Sequence, residues 1–310
     1  MALKVKKFLI EDPSDLFDYD SVAEVIYKKS VTRYPFNDLR FIYACLETTG
    51  SNESFAAVVE DQAPLDLIIL KNSQGGTFRS CIPPDIPHFN FFQSLTKFPT
   101  DTSLSLLSEF KEIFLSRVLL RENEISTLSR AIPGIRFSSS EVHKIRVPDN
   151  FERWLYRVKP ANHEKFKKLF KYISKEDFKL QKIEEPLAFQ EEIELSLGKR
   201  LDLPLLTRSL ISTLLLQLKL AHLDIYFELL KAENWDLCGA VILEYSGKLY
   251  VLGNFDFNPD SKINHVDLMG LLLLKEASAR NLQEIIFVGE VSSSSLPLEP
   301  VTVYDIYLKA

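Results

Sequence analysis

Two segments of the chain carry the same order of hydrophobic and polar positions. In each segment, short apolar runs bounded by turn residues predict three closely spaced strands, and an amphipathic run after them predicts one helix. The first segment has strands over Phe55–Val59, Leu65–Leu70 and Thr77–Ile82 and a helix over Ser103–Leu120. The second has strands over Ile225–Leu230, Leu237–Leu243 and Lys248–Leu252 and a helix over Val266–Arg280. Helical sequence precedes both segments, so the pattern predicts two similar domains packed side by side.

The remaining patterns complete an α+β fold. A basic amphipathic helix is predicted over Asn162–Ile173, and a short buried strand over Glu284–Val288 follows the last helix. The turn sequence Pro148-Asp149-Asn150 is the candidate boundary between the halves, which predicts an N-terminal domain over 1–147 and a C-terminal domain over 148–310. We expect each domain to be a mixed, mostly antiparallel sheet flanked by helices.

The charge balance bears on the class of partner. The chain has 310 residues and a formal net charge of −6. A protein that binds nucleic acid through phosphate contacts normally shows a basic face. The largest basic cluster is the group of lysines within Glu164–Lys179, which predicts a solvated helix face, with docking of an anionic ligand as the alternative. We therefore expect a small-molecule partner and no nucleic acid.

Cysteines are few and the apolar stretches are short. The chain has three cysteines, Cys45, Cys81 and Cys238. An odd number without close spacing argues against a disulfide framework and against a zinc site. The most apolar stretches, Leu203–Leu223 and Val266–Leu274, are interrupted by charged or polar residues, so no membrane span is expected. The start of the chain lacks a signal-like apolar run. These features predict a reducing, cytoplasmic location.

Several segments of the second half resemble a known family. They are Phe151-Glu152-Arg153-Trp154-Leu155, the helix around Phe166-Lys167-Lys168-Leu169, and the runs Asp236–Leu243, Tyr250–Asp260 and Leu271–Asn281. In this order they resemble the Gcn5-related N-acetyltransferases (GNAT). The tandem arrangement resembles the FemAB-like transferases and the CelD/BioF2-like acetyltransferases. The resemblance covers the C-terminal half well and the N-terminal half by pattern alone, and it implies two acetyltransferase-like domains, the first of them degenerate.

The resemblance also implies an acyl-CoA donor, whereas the five dispersed histidines argue against a metal site. In such proteins, backbone N–H groups of a Gln/Arg-x-x-Gly-x-Gly/Ala loop and the following helix N-terminus cradle a pyrophosphate. The matching stretch here is Asp260–Gly270, which has one late glycine and carries Asp267 where an anion would approach. The candidate cofactor-binding residues in it are Ser261, Lys262, Asn264 and Gly270.

Three titratable residues are candidates for catalysis. Asp256, His265 and Glu290 are expected near the start of the last long helix, where the central strands of this fold splay. During acyl transfer an acceptor amine or hydroxyl must lose a proton, and a histidine is the side chain best suited to take it near neutrality. Each residue also has a structural interpretation: Asp256 as a turn or helix-cap carboxylate, His265 as a capping or surface residue, and Glu290 as an exposed loop carboxylate.

The leading interpretation is an acyltransferase. It would move an acyl group from a thioester donor, acyl-CoA, to an amine or hydroxyl by direct attack, because no convincing nucleophile is present. The acceptor would be a sugar, a peptide or a small metabolite. Two alternatives stay open. Asp267 favours a catalytically inactive binding or regulatory module, and the lysines of Glu164–Lys179 would support an aminoacyl-tRNA-dependent transferase.

Overall fold

A computed structural model describes most of the chain. The described residues are 3–29, 34–50, 54–61, 63–73, 77–81, 93–94, 101–158, 169, 178–199, 205–232, 235–257, 261, 264–288 and 296–309. The predicted basic helix over Asn162–Ile173 lies outside these ranges except for Leu169, and Lys262 and Glu290 lie outside them as well. Within these ranges, no helix is long and apolar enough to cross a membrane.

The chain divides into two compact units. Unit 1 comprises Met1–Glu141 together with Thr302–Ala310, and unit 2 comprises Val142–Val301. Most of the last strand therefore belongs to unit 1, although it follows unit 2 in sequence.

Unit 1 contains the three strands that the hydrophobic pattern predicts and the start of the predicted helix after them. A strand, two 3₁₀ segments and two helices precede the three strands, and a further helix and strand follow them. The helices are α1 (Asp20–Lys29), α2 (Leu39–Thr49), α3 (Asp101–Leu107) and α4 (Glu122–Ala131). The strands are β1 (Lys4–Ile10), β2 (Ser54–Asp61), β3 (Ala63–Ser73), β4 (Thr77–Ser80), β5 (Gln93–Ser94), β6 (Glu112–Val118), the first part of β7 (Arg136–Arg146), and the last strand, β13 (Glu299–Lys309).

The sheet of unit 1 is mixed and mostly antiparallel. Its order is β1-β2-β3-β4-β6-β13, and β5 pairs with β3. β4 and β6 run parallel, with Thr77 opposite Glu112. Successive residues of β3 point to opposite faces, and both faces are covered. Ile68 packs in the cluster that includes α3 and α4, whereas Ile69 packs in the cluster that includes α1 and α2.

The predicted helix over Ser103–Leu120 is wrong beyond Leu107. Helix α3 ends there, and Glu112–Val118 form strand β6. The backbone of β6 pairs with β4 on one side and with β13 on the other. Its apolar residues satisfy a helical spacing as well as an alternating one, and pairing with strands from distant parts of the sequence decides between them.

Unit 2 repeats the order of unit 1. A strand and two helices precede three antiparallel strands, and a helix and a parallel strand follow. The helices are α5 (Phe151–Arg157), α6 (Pro186–Gly198), α7 (Leu205–Leu220) and α8 (His265–Ala279). The strands are β8 (Phe178–Ile183), β9 (Ile225–Ala232), β10 (Trp235–Tyr245), β11 (Lys248–Asp256) and β12 (Glu284–Phe287). The predicted fold class, α+β with two similar tandem domains, is confirmed.

The sheet of unit 2 has the order β8-β9-β10-β11-β12, and the end of β7 pairs with β12. Helix α8 is apolar on most of its surface, as expected for a helix that is buried rather than half-exposed. Its residues Leu268 and Met269 pack in one cluster with Tyr226, Ala240 and Val251 of the sheet. One core layer of this unit therefore lies between α8 and the strands β9 to β11.

A glutamate occupies the same position in both sheets. Glu112 is the first residue of β6 and Glu284 is the first residue of β12, and each strand runs parallel to its neighbour. Each carboxylate accepts two side-chain hydrogen bonds: Glu112 from Thr77 at 2.6 Å and from Tyr307, and Glu284 from Lys248 and Lys144 at 2.8 Å each. In both units one donor, Thr77 or Lys248, is the first residue of the parallel neighbouring strand. The other donor, Tyr307 or Lys144, lies on the antiparallel neighbour, two residues before the residue that pairs with the glutamate. The repetition therefore extends to single side chains.

Candidate functional site

Within the described part of the chain, the parallel pair of unit 2 leaves part of one strand without a neighbour on one side. β11 pairs with β12 over Lys248–Val251, and the N–H of Val288 donates to the carbonyl of Val251 at 3.0 Å. β11 continues to Asp256, paired with β10 alone among the strands that the structure describes. We call Leu252–Phe255 the free edge. An extended strand with an open side can accept an extended, amide-containing ligand as an added strand.

A β-bulge marks the start of the free edge. Val241 of β10 lies opposite Gly253 and Ile242 lies opposite Val251, so Leu252 has no partner on β10. A bulge bends its strand, and this one lies beside Val251, the last residue of β11 that pairs with β12 among the described residues. The hydrophobic pattern predicts a strand that ends at Leu252, and it misses the free edge. Gly253 could have indicated that the strand continues through a bulge, because a glycine inside a strand pattern is typical of a bulge.

Two predicted catalytic residues meet at the far end of the free edge. Asp256 ends β11, His265 begins α8, and Oδ1 of Asp256 lies 3.3 Å from Nδ1 of His265. His265 is 4% exposed. Cys238, which lies opposite Asp256 on β10, donates from Sγ to the carbonyl of His265 at 3.3 Å. The carboxylate contact favours the tautomer with its proton on Nδ1 and its lone pair on Nε2.

Cys238 is held as a thiol. Burial, and then the charge of Asp256, raise the pKa of the Cys238 thiol well above its ordinary value. The thiolate is the nucleophilic form of cysteine, so burial makes this side chain a poor nucleophile. Cys238 and Cys45 are both fully enclosed in the core, as the apolar sequence around them predicts.

Asn264 caps helix α8. Its side-chain Oδ1 accepts the N–H of Asp267 at 3.0 Å, and its carbonyl accepts the N–H of Leu268 at 3.1 Å. Asparagine in an extended conformation is a favoured cap because its side chain satisfies an N–H group that the helix leaves open. Asp267 lies in the first turn and is 1% exposed. A negative side chain at that position complements the positive end of the helix dipole.

The first turn of α8 therefore has one N–H group fewer to offer a diphosphate. Binding of phosphate groups at a helix N-terminus requires open N–H groups and a positive local potential. Here the N–H of Asp267 is taken by Asn264, and the Asp267 side chain adds a charge of the same sign as the ligand.

The other predicted cofactor-binding residues lie in different surroundings. Ser261 is partly exposed in the connection between β11 and α8. Gly270 is buried in the second turn of α8, where an added Cβ would lie 2.6 Å from Cδ1 of Leu296. Asp256, His265 and Asn264 are thus brought together, whereas Gly270 permits close packing of Leu296. Lys262 and Glu290 lie outside the described residues.

Comparison with known proteins bears on the fold. No protein-family model and no curated protein matches the chain. Solved structures match over almost its whole length. FemX is 11% identical, with 97% of this chain and 96% of FemX covered and a TM-score of 0.58. A tandem GNAT protein from the clavulanic acid biosynthesis pathway is 10% identical, with 99% and 98% covered and a TM-score of 0.53. L-PGS from Bacillus licheniformis is 11% identical, with 97% and 92% covered and a TM-score of 0.53.

The chain has a tandem acetyltransferase-like fold of the FemAB type. This confirms the family resemblance of the sequence at the level of fold. One fold hosts many reactions, so the chemistry has to be argued from the free edge and the residues beside it.

Proposed function

We propose that unit 2 transfers an acyl group from a thioester donor to an amine or hydroxyl acceptor. One observation carries the proposal: the free edge Leu252–Phe255 is followed directly by the Asp256–His265 pair. A donor arm that contains amide groups pairs with the free edge as an added strand. Its thioester is then held beside the pair, and positioning of this kind supplies a large part of the rate of acyl transfer.

The acceptor attacks the thioester carbonyl directly. A carbon–nitrogen or carbon–oxygen bond forms, the carbon–sulfur bond breaks, and the sulfur leaves as a thiolate that takes up a proton. The proton of the acceptor passes to Nε2 of His265, and Asp256 orients the ring and stabilises the imidazolium. The buried Cys238 thiol takes no part, which is consistent with attack without a covalent enzyme intermediate.

The folds found by comparison support a transferase of this general kind. One similar structure is a tandem GNAT protein described without AcCoA, and acyl-CoA is accordingly the donor form to test first. A sugar, a peptide or a small metabolite is proposed as the acceptor.

Release of free thiol tests the proposal. Acetyl-CoA and acetyl-pantetheine would each be supplied with a panel of amines, amino sugars and peptides, and thiol release that depends on the acceptor would be measured. We expect such release from the wild-type protein and its loss in His265→Gln at an unchanged melting temperature. Absence of acceptor-dependent release with every thioester and acceptor would contradict the proposal.

A second candidate is a catalytically inactive binding module. The nearly complete enclosure of His265 and the negative charge of Asp267 in the first turn of α8 favour it. This candidate predicts that a thioester or thioether ligand raises the melting temperature while no acceptor releases thiol. Acceptor-dependent turnover would eliminate it.

A further inference from the structure

A glycine on β10 makes room for an aromatic ring beside the free edge. Gly239 lies opposite Phe255 of β11. A Cβ at Gly239 would lie 2.2 Å from Cζ of Phe227, so the ring of Phe227 occupies the space over the glycine. The backbone of Gly239 is not in the left-handed region. The glycine is therefore explained by the close approach of the ring and not by backbone conformation.

The Phe227 ring reaches the free edge across β10. Phe227 belongs to β9, pairs with Val241 of β10 and is fully buried. Its ring stacks on that of Phe255, with the two centroids 6.0 Å apart and the ring planes at 30°. Aromatic pairs of this kind stabilise a structure beyond the area that they bury. Phe255 is therefore supported from β9, over the space that Gly239 leaves.

The stack and the predicted catalytic contact lie on opposite faces of the same strand end. Successive residues of a strand point to opposite faces, so the Phe255 ring and the Asp256 carboxylate do so as well. On one face Asp256 contacts His265, with 3.3 Å between Oδ1 and Nδ1. On the other face Phe227 fixes the residue directly before Asp256. An imidazole serves as a base only while it and its carboxylate keep their geometry.

We infer that Phe227 is a positioning residue for the Asp256–His265 pair and acts through Phe255. Its ring holds the end of β11 where, within the described ranges, no second strand flanks it. The inference rests on the proposed function, to which it adds a residue of β9 on the opposite face of the sheet from the reacting groups.

The substitution Phe227→Leu tests the inference with two readouts. It keeps an apolar side chain but removes the stack on Phe255. We expect the backbone amides of Gly253–Phe255 to exchange with deuterium about two- to tenfold faster, the factor that corresponds to the energy of an aromatic pair. We also expect kcat for acceptor-dependent thiol release to fall about 10- to 100-fold with an unchanged KM for the acceptor, because a misplaced catalytic group slows the reaction.

The matched control is Phe41→Leu. Phe41 is fully buried in unit 1, and its ring centroid lies 5.2 Å from that of Phe36. The control removes a comparable aromatic contact, so it should lower the melting temperature while kcat and the exchange of the free edge stay as in the wild type. An unchanged kcat in Phe227→Leu, or unchanged exchange of its free edge, would overturn the inference, because Phe227 would then be a core residue only.

A second variant perturbs the same contact from the other side. The added Cβ of Gly239→Ala would displace the Phe227 ring, so this variant should reproduce both effects. Phe227→Leu removes the atom that the Cβ would meet, and the double variant should be less impaired than the product of the single effects. Independent effects of the two substitutions would overturn the inference. Should Gly239→Ala fail to fold, Phe227→Leu still decides.

The exchange measurement separates failure of the inference from failure of the proposed function. If the wild-type protein releases no thiol with any acceptor, the proposed function falls, and the exchange of the free edge in Phe227→Leu alone decides. Faster exchange then supports Phe227 as the residue that holds the strand end beside the Asp256–His265 pair, and unchanged exchange overturns it.

Discussion

The carboxylate of Asp256 lies 3.3 Å from Nδ1 of His265, and this contact joins the last residue of β11 to the first residue of α8. Asn264, the residue before His265, caps the same helix, so the imidazole is held at a defined helix start. Because Nδ1 faces the carboxylate, Nε2 is the nitrogen left to take a proton from an acceptor.

Replacement of His265 should affect the rate rather than donor binding. We expect His265→Gln to lower kcat by about 100-fold or more, the usual contribution of a general base, while KM for the thioester stays unchanged. Steady-state kinetics with a saturating acceptor would measure both. His222→Asn, at an exposed turn, is the control and should behave as wild type. A His265→Gln enzyme with the wild-type kcat would remove the base from the mechanism.

Gly270 should be a packing residue. Alanine normally stabilises a helix interior relative to glycine, but here its Cβ would lie 2.6 Å from Cδ1 of Leu296. We expect Gly270→Ala to lower the free energy of unfolding by about 1–3 kcal/mol in urea denaturation, as overpacking does. Gly198→Ala, in α6 with nothing within 4 Å of the added Cβ, is the control and should show no such loss.

The Gly270 prediction can be separated from a direct role in donor binding. Leu296→Ala removes the side chain that Gly270→Ala would contact, so the double variant should be less destabilised than the sum of the single variants. A Gly270→Ala protein with wild-type stability and weakened thioether binding would instead place Gly270 in the donor site.

Glu284 should stabilise unit 2 above acidic pH. Burial would raise the pKa of Glu284, but hydrogen bonds from Lys144 and Lys248 outweigh burial and leave the pKa below the ordinary 4.5. The stabilisation is therefore present above pH 4.5 and is lost as the pH falls through the lower folded-state pKa. We expect Glu284→Gln to lower the free energy of unfolding at pH 7 by about 1 kcal/mol, since the site is partly exposed.

The exposed Lys182–Glu184 ion pair provides the control for Glu284. The Glu184 side chain is 54% exposed, whereas that of Glu284 is 21% exposed. Glu184→Gln should therefore change the free energy of unfolding by less than about 0.5 kcal/mol. Equal effects of the two substitutions would show that the two lysines do not stabilise Glu284 more than a surface pair does.

Glu228 should give the free energy of unfolding the opposite dependence on pH. It lies on β9 and is 2% exposed. Burial, and then the charge of Glu276, raise the pKa of Glu228 from 4.5 to about 7, against smaller opposing effects of Lys182 and Arg280. The folded state therefore holds a proton that the unfolded chain has released. The stabilisation is complete below pH 4.5 and is lost as the pH rises through about 7.

Urea denaturation between pH 5 and pH 8 measures this effect. Each pKa unit corresponds to about 1.4 kcal/mol, so Glu228 accounts for a fall of roughly 3 kcal/mol across the range. Glu228→Gln should flatten the profile and raise the free energy of unfolding at pH 8, whereas Glu299→Gln, at an exposed position of β13, should leave the profile unchanged. A variant Glu228→Gln that keeps the full pH dependence would rule out Glu228 as its source.

Local pattern was enough to predict the duplicated order of the three strands and the helix after them, and the family resemblance was enough to expect Asp256 and His265 near one point. The strands around Ile242 and Tyr250 are short apolar runs bounded by turn residues, a pattern that indicates buried strands. The features that local pattern did not predict depend on contacts between distant parts of the sequence. The run Glu112–Val118 becomes a strand because β4 and β13 flank it, and the matching roles of Glu112 and Glu284 depend on strand register, which no local pattern encodes.

The placement of the donor along the free edge is tested most directly by hydrogen–deuterium exchange with and without saturating S-ethyl-pantetheine. The structure predicts slower exchange of the backbone amides of Leu252–Phe255 in unit 2 and no change in Thr77–Ser80, the corresponding strand of unit 1. Unchanged exchange across Leu252–Phe255 in the ligand-bound protein, or protection confined to other segments, would contradict it.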